Sequence, residues 1–275
     1  VKGQDGVLEY WSIGSDSSLH DATTPLLHKF KEFPMAFMSW RGVVGVVKPT
    51  HRPGSLEEFI RLLPEGIGVV PLYLNFQRGT EEEFRGALDA VHEKVDELAK
   101  EGVDLIHPEG APPFMVHGYK GEDKIVKEWE AQYKIPIVTA AQTQVEALRA
   151  LGVKKFIGVT YFTGTINDMF TRYFQEAGFE VLGMEGMAVA FADVGRLSSL
   201  EIYAHTRKAF LKHQSADGIY MLGTGWRCLD IVHLLEEDLQ VPVVHPVPAR
   251  VWTVQKRLHV RQPVRGFGKL LEAMP

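Results

Sequence analysis

Apolar residues in this chain gather in short uninterrupted runs, separated by longer stretches in which they recur every three or four positions. That alternation predicts buried parallel strands joined by amphipathic helices. Gly42-Val-Val-Gly-Val-Val47 is the first such run, followed by the loop 48–54 and a helix that Ser55 caps, with Glu58 three residues on. Residues 67–74 predict a second strand, and Thr80-Glu-Glu-Glu opens a long helix to about Lys100 that Gly102 stops. A third strand over 103–107 leads into a Pro- and Gly-rich loop, 109–121, long enough to suggest a binding segment or lid. A helix over 124–133, a fourth strand over 135–140 and a helix over 142–151 complete a unit.

The pattern then begins again. Strands are predicted over 155–161, 179–184, 218–222 and 241–245, with helices over 165–177, 197–213 and 226–239 between them. The expected fold is therefore α/β: two pseudo-symmetric flavodoxin-like units, each with a four-stranded parallel sheet, and a cleft between them at the carboxyl ends of the strands. The expected division is an amino-terminal arm over 1–41, a first unit over 42–144, a second over 145–247, and a segment 248–275 that packs back on the first.

One stretch repeats most clearly. Asp217-Gly-Ile-Tyr-Met-Leu-Gly223 is echoed by Asp104-Leu-Ile-His-Pro-Glu-Gly110, each an aspartate, an apolar start and a glycine at the same spacing. Glycine after a buried strand lets the backbone turn sharply and approach a ligand, and the following N–H groups favour an anion. Two such turns facing one another would hold a carboxylate; read singly, each is an ordinary strand-to-helix turn.

Composition narrows the partners. The net charge of -5, with no long basic run, argues against nucleic acid, and 45% hydrophobic with 24% charged residues is ordinary for a globular chain. A single cysteine, Cys228, excludes a disulfide framework and a Cys-rich metal site, which fits a reducing compartment. No apolar stretch is long enough to span a bilayer and the start lacks a signal-peptide shape, so a soluble cytoplasmic protein is expected. Tyr10, Trp11, Phe37 and Trp40 hint at subunit contact, leaving a homo-oligomer open.

The residues at the two turns supply the candidate chemistry. Glu109 stands immediately before Gly110 and is the first candidate for a general acid or base, with partial burial expected to raise its pKa; the alternative is a solvated loop carboxylate. His107 lies two residues earlier on the same face of the strand, as a second carrier or a hydrogen-bonded core residue. His117 could reach in from the loop. His107, Glu109, His117 and His245 have no metal-ligand spacing, and neither metal nor cofactor is expected. N–H groups around Gly110 and Ala111 and around Gly223, Thr224 and Gly225, with the Thr224 hydroxyl, are candidate oxyanion donors. In the loop after the first strand Pro49, Thr50 and Arg52 are candidate substrate contacts; Arg52 or Lys48 could clamp a carboxylate, or the loop is simply a solvated basic one. Asn75 and Arg250 are weaker entrants of the same kind, and Cys228 reads as a buried structural thiol.

The paired turns, Gly152-Val-Lys-Lys-Phe-Ile-Gly-Val-Thr160, Gly223-Thr-Gly-Trp-Arg-Cys-Leu-Asp230, Val241-Pro-Val-Val and Pro248-Ala-Arg-Val-Trp252 resemble the aspartate/glutamate racemase superfamily. Within it the chain is most similar to the arylmalonate decarboxylase and maleate cis-trans isomerase branch, over about residues 42–270. The resemblance implies two cysteines, one at each turn, that move protons beside a carboxylate; the decarboxylases keep only the second. Here Gly110 and Gly223 stand at those positions, so neither thiol is present. It also implies a tyrosine and hydroxyl donors after the second unit's first strand: Phe162 falls at the tyrosine position, with Tyr161 beside it and Thr163 next. The expected activity is cofactor-independent, decarboxylase-like chemistry on a small carboxylic acid, through an enolate held by the two backbone cradles and served by Glu109, His107 or Tyr161. Hydrolysis of an amide or ring bond with Glu109 as base, maleate-type isomerisation, and carboxylate binding without catalysis are the alternatives.

Overall fold

The computed structural model describes residues 39–52 and 54–274. The proposed arm, with Tyr10, Trp11 and Phe37, lies almost wholly outside them, while Trp40 is 60% exposed with the Arg41 guanidinium over its ring. Two parallel sheets form the body. In the first, β1 (Gly42–Lys48) is central, flanked by β2 (Ile67–Tyr73) and β3 (Leu105–Pro108) in the order β2-β1-β3. In the second, β4 (Lys155–Thr160), β5 (Glu180–Gly186), β6 (Gly218–Met221) and β7 (Val243–Val244) run in the order β5-β4-β6-β7.

The sheets are unequal, three strands against four. Among the described residues, the run expected as a fourth strand over 135–140 makes one bridge, Ile137 to Ile106. Pro136 lacks an N–H for the ladder, and Thr139 already caps the next helix by accepting from Gln142 N, so the chain leaves the sheet after one pair.

The repeated aspartates explain why the two halves look alike. Asp104 Oδ2 accepts from Val43 N at 2.7 Å, and Asp217 Oδ1 accepts from Lys154 N and Lys155 N at 3.0 Å each. Each carboxylate thus ties the start of a sheet's central strand to the strand beside it, leaving the glycine turn at the opposite, carboxyl end.

Helices cover the sheets: α1 (Ser55–Leu62), α2 (Glu81–Arg85), α3 (Leu88–Lys100), α4 (Pro112–Met115), α5 (Gly118–Tyr133) and α6 (Ala140–Ala150) belong to the first half. The second half carries α7 (Thr165–Glu176), α8 (Ser199–Lys212), α9 (Val232–Leu239), α10 (Pro246–Arg257) and α11 (Lys269–Glu272). Three differences from the periodicity matter. The helix expected from Thr80 to Lys100 is two, broken at Gly86-Ala87. The expected loop 109–121 is largely helical, with Pro112 at the first position of α4, where its missing N–H costs nothing. Residues 226–228, expected to open a helix, form none, so Cys228 precedes a short 3-10 turn; it is fully buried, and burial pushes its thiol well up.

The halves meet through α5 on α7, and through α10, which packs on both α1 and α6. Buried between α5 and α7, Glu122 accepts from the hydroxyls of Thr139 and Tyr173. Burial pushes its carboxyl up to about 7 despite those bonds.

Candidate active site

The two glycine turns line one narrow cavity. Both depend on glycine. Gly110 has φ 92° and Gly223 φ 97°, in the region L side chains avoid. A Cβ at residue 110 would lie 3.1 Å from the Pro49 ring, and one at residue 223 would lie 2.4 Å from Tyr161. Backbone conformation and packing therefore both oppose a thiol at either turn.

Glu109 joins the turns. Its Oε1 accepts from Thr224 Oγ1 and from Ser55 Oγ, each at 2.9 Å, so the first turn is bonded directly to the second and to the start of α1. Its Oε2 lies 2.7 Å from Arg250 Nη1 and 3.5 Å from Lys48 Nζ. Lys48 also donates to Ser55 Oγ at 2.5 Å, and Arg250 donates through Nη2 to the Ser55 carbonyl. The Arg250 guanidinium lies over the Phe59 ring at 4.3 Å. All four charged or hydroxylic partners from this chain segment, Lys48, Ser55, Glu109 and Arg250, are buried.

The electrostatics reverse one expectation. Burial alone would raise the Glu109 pKa, but the facing charges of Arg250 and Lys48 overcome it and hold the carboxyl at about 2. Glu109 is thus an ionised anchor, its Oε1 hydrogen-bonded and its Oε2 ion-paired, a weak base at neutral pH and no acid. The Arg250 contact is close but not aligned along an N–H, and Arg250 Nε and Nη1 have no hydrogen-bond partner among the described residues. Two cations meet one carboxylate, with guanidinium donors left over at the cavity wall.

His107 is fully buried on β3. Its Nδ1 lies 2.7 Å from the Val138 carbonyl, which fixes the hydrogen there and leaves Nε2 as a bare, unpartnered acceptor. Burial and the Arg250 charge lower its pKa to about 4, so the ring is neutral. His245 is likewise buried and lowered to about 3, its Nδ1 accepting from Val247 N at the start of α10.

The opposite wall is apolar and aromatic, formed by Phe76, Phe84, Phe162, Phe191 and the Tyr161 ring. Pro112 and Pro113 supply no N–H, so the first cradle offers only those of Gly110 and Ala111. Beyond Tyr161, Thr224 and Glu109 an outer hollow is lined by Thr50, Arg52, Ser55 and Gly225.

Several candidates are brought together and others are not. Pro49, His107, Glu109, Gly110, Ala111, Tyr161, Gly223 and Thr224 line the cavity, with Thr50, Arg52 and Gly225 in the outer hollow. Thr163 is exposed, because the chain turns outward into α7 directly after Phe162. His117 is exposed at the start of α5 rather than reaching inward, and Asn75 is exposed and accepts from Gln77. Arg250, read as marginal, stands at the centre. The sequence expects Ser55 as a helix cap; Gly54 holds that position, and the Ser55 hydroxyl serves Glu109. Gln144, whose Oε1 accepts from Tyr220 at 2.7 Å, is a cavity residue that the periodicity of α6 does not distinguish from core.

Comparison with known proteins agrees with this geometry. The chain is 24% identical over 236 residues to arylmalonate decarboxylase of Bordetella bronchiseptica, spanning 83% of this chain and 96% of that protein. The maleate isomerase Iso from Pseudomonas putida S16 superposes with a TM-score of 0.79 at 19% identity, covering 85% of this chain and 99% of the other. A crystal structure of arylmalonate decarboxylase gives 0.74 at 20%, covering 84% and 99%. The family model described as arylmalonate decarboxylase matches residues 55–271, and with most of its length so matched the chain belongs to the arylmalonate decarboxylase family.

Proposed function

We propose that this chain is a cofactor-independent enzyme that removes carbon dioxide from a small carboxylic acid bearing an apolar or aromatic group. The observation that carries the reading is Arg250, a buried cation at the wall of a cavity that is otherwise largely aromatic, whose Nε has no partner among the described residues and whose Nη1 meets Glu109 only as an ion pair. Buried charged donors without an acceptor are costly, and a carboxylate supplies one. The aromatic wall then receives the rest of the molecule.

Decarboxylation suits this site better than the other reactions of its relatives. It needs no base at the outset, only a dry pocket around the departing carboxylate and donors for the enolate that forms. The N–H groups of Gly110, Ala111, Gly223 and Thr224 have no protein acceptor among the described residues and are available for that role. Isomerisation of a cis diacid ordinarily uses a thiol nucleophile; this chain has none at either turn, the second turn has no room for one, and the first would need Pro49 to shift. Hydrolysis with Glu109 as base loses support because Oε1 accepts two hydrogen bonds, Oε2 faces Arg250 and Lys48, and the group is held at about 2.

The test is incubation of the full chain with arylmalonic and alkylmalonic acids in deuterated water, followed by NMR. Carbon dioxide release with an α-deuterated monoacid is expected, and Arg250→Lys, which keeps the charge but loses the fork, should weaken phenylacetate binding at least about tenfold in calorimetry. Binding without gas release would make the protein a carboxylate binder instead.

A further inference from the structure

We propose that the phenol of Tyr161 stands in for the missing sulfur of the second turn, and that it hands the proton to the α-carbon after carbon dioxide leaves. This rests on the decarboxylase reading above. Its first support is steric. A Cβ built on Gly223 would lie 2.4 Å from both Tyr161 Oη and Cε1, and 2.6 Å from Cζ. The ring thus occupies the volume a residue-223 side chain would need, and the glycine and the tyrosine are size-matched.

The second support is that the hydroxyl is held in place. The ring is edge-on to Trp226 with centroids 5.2 Å apart and tilted against Phe162 at 4.7 Å, while a Cβ on Gly225 would lie 3.2 Å from Oη. Packing on both sides fixes the oxygen above the small-residue turn Gly223-Thr224-Gly225, between the cavity and the outer hollow.

The third support is elimination among the titratable and hydroxyl groups at the cavity. Glu109 is ionised, with its oxygens held by Ser55, Thr224 and Arg250. Thr224 spends its hydrogen on Glu109, and His107 spends its hydrogen on the Val138 carbonyl, leaving a bare nitrogen. A guanidinium is too basic to release a proton here. The Tyr161 hydroxyl gives its hydrogen to no protein acceptor among the described residues and remains available.

The step balances. The bond from the α-carbon to the departing carboxylate breaks, carbon dioxide leaves, and the electron pair stays behind as the enolate of the monoacid. The Tyr161 O–H bond then breaks as a C–H bond forms, and the resulting phenolate recovers a proton from water. Burial raises the Tyr161 pKa, so the group stands protonated between turnovers; the Arg52 charge and the Gly225 N–H oppose that rise and steady the transient phenolate.

The experiment compares wild type with Tyr161→Phe, using phenylmalonate and phenylacetate as probes in deuterated water. Turnover of phenylmalonate is expected to fall at least about a hundredfold in the variant, while phenylacetate affinity stays within about threefold. In wild type, α-deuterium exchange into phenylacetate should climb about tenfold per pH unit from pH 7 to 9, as the phenolate fraction does. Tyr161→Phe turnover within about threefold of wild type would overturn the assignment and leave the decarboxylase reading standing. Wild type silent on both probes would overturn that reading and the assignment together. Should Tyr161→Phe fail to fold, the wild-type profile alone decides: a plateau reached below pH 7 points to His107 and overturns the assignment.

Discussion

Glu122 offers the cleanest physical test of the fold. Its carboxyl is fully buried between α5 and α7, accepts from two hydroxyls, and meets no cation among the described residues. The folded group titrates near 7 where the ordinary value is 4.5, so the folded state holds a proton that the unfolded chain has already released. A raised carboxyl pKa means stability is highest below the unfolded value and is lost as pH climbs through the folded one. The gap from 4.5 to about 7, at about 1.4 kcal/mol per unit, amounts to about 3 kcal/mol between pH 4.5 and 8. Glu122→Gln keeps the shape and an acceptor for Tyr173 while removing the titration. Urea melts of both proteins across that range measure the difference directly, and it should move in favour of the variant by about 3 kcal/mol as pH rises. Glu58 and Glu236 are also raised but are common to both proteins and cancel. A difference that stays constant within about 0.5 kcal/mol would refute the account, because the carboxyl would then be ionised in both states or in neither.

Two further outcomes follow from the site. Gly223→Ala should cost about 2–4 kcal/mol by urea melts, from its φ of 97° and from the Cβ that would lie 2.4 Å from Tyr161. In a Tyr161→Ala background only the backbone strain remains, so a cost equal in both backgrounds would refute the size match. Glu109 behaves oppositely to Glu122: held at about 2, it contributes stability above the unfolded value that is lost as pH falls from 4.5 toward 2, about 3 kcal/mol in all. Glu109→Gln should flatten that acid limb in urea melts while lowering stability at pH 7, since it leaves Arg250 and Lys48 unpaired. An unchanged acid limb would count against the ion cluster.

The sequence by itself determined the alternation of strands and helices, the internal repeat and the pair of glycine turns, because each is written in near neighbours. A strand buried on both faces needs a continuous apolar run, and Gly110 and Gly223 mark the backbone turns at the ends of such runs. The Asp104 and Asp217 echo was visible too, although only the structure gave its reason, a carboxylate that bonds the N–H groups at the start of a neighbouring strand. What tertiary structure decided was charge and space. Glu109 resembles any strand-end carboxylate until Arg250, far along the chain, is folded against it and turns an expected acid-base group into an ionised anchor. Ser55 reads as a cap, and Pro136 and Thr139 end a strand that the apolar pattern alone would continue. The Tyr161 ring over Gly223 has no local signature, since two residues that exclude one another sterically need not be near in sequence. Periodicity reports which face of an element is buried; pKa, ion pairing and excluded volume depend on what is brought opposite that face, and only the folded chain fixes that.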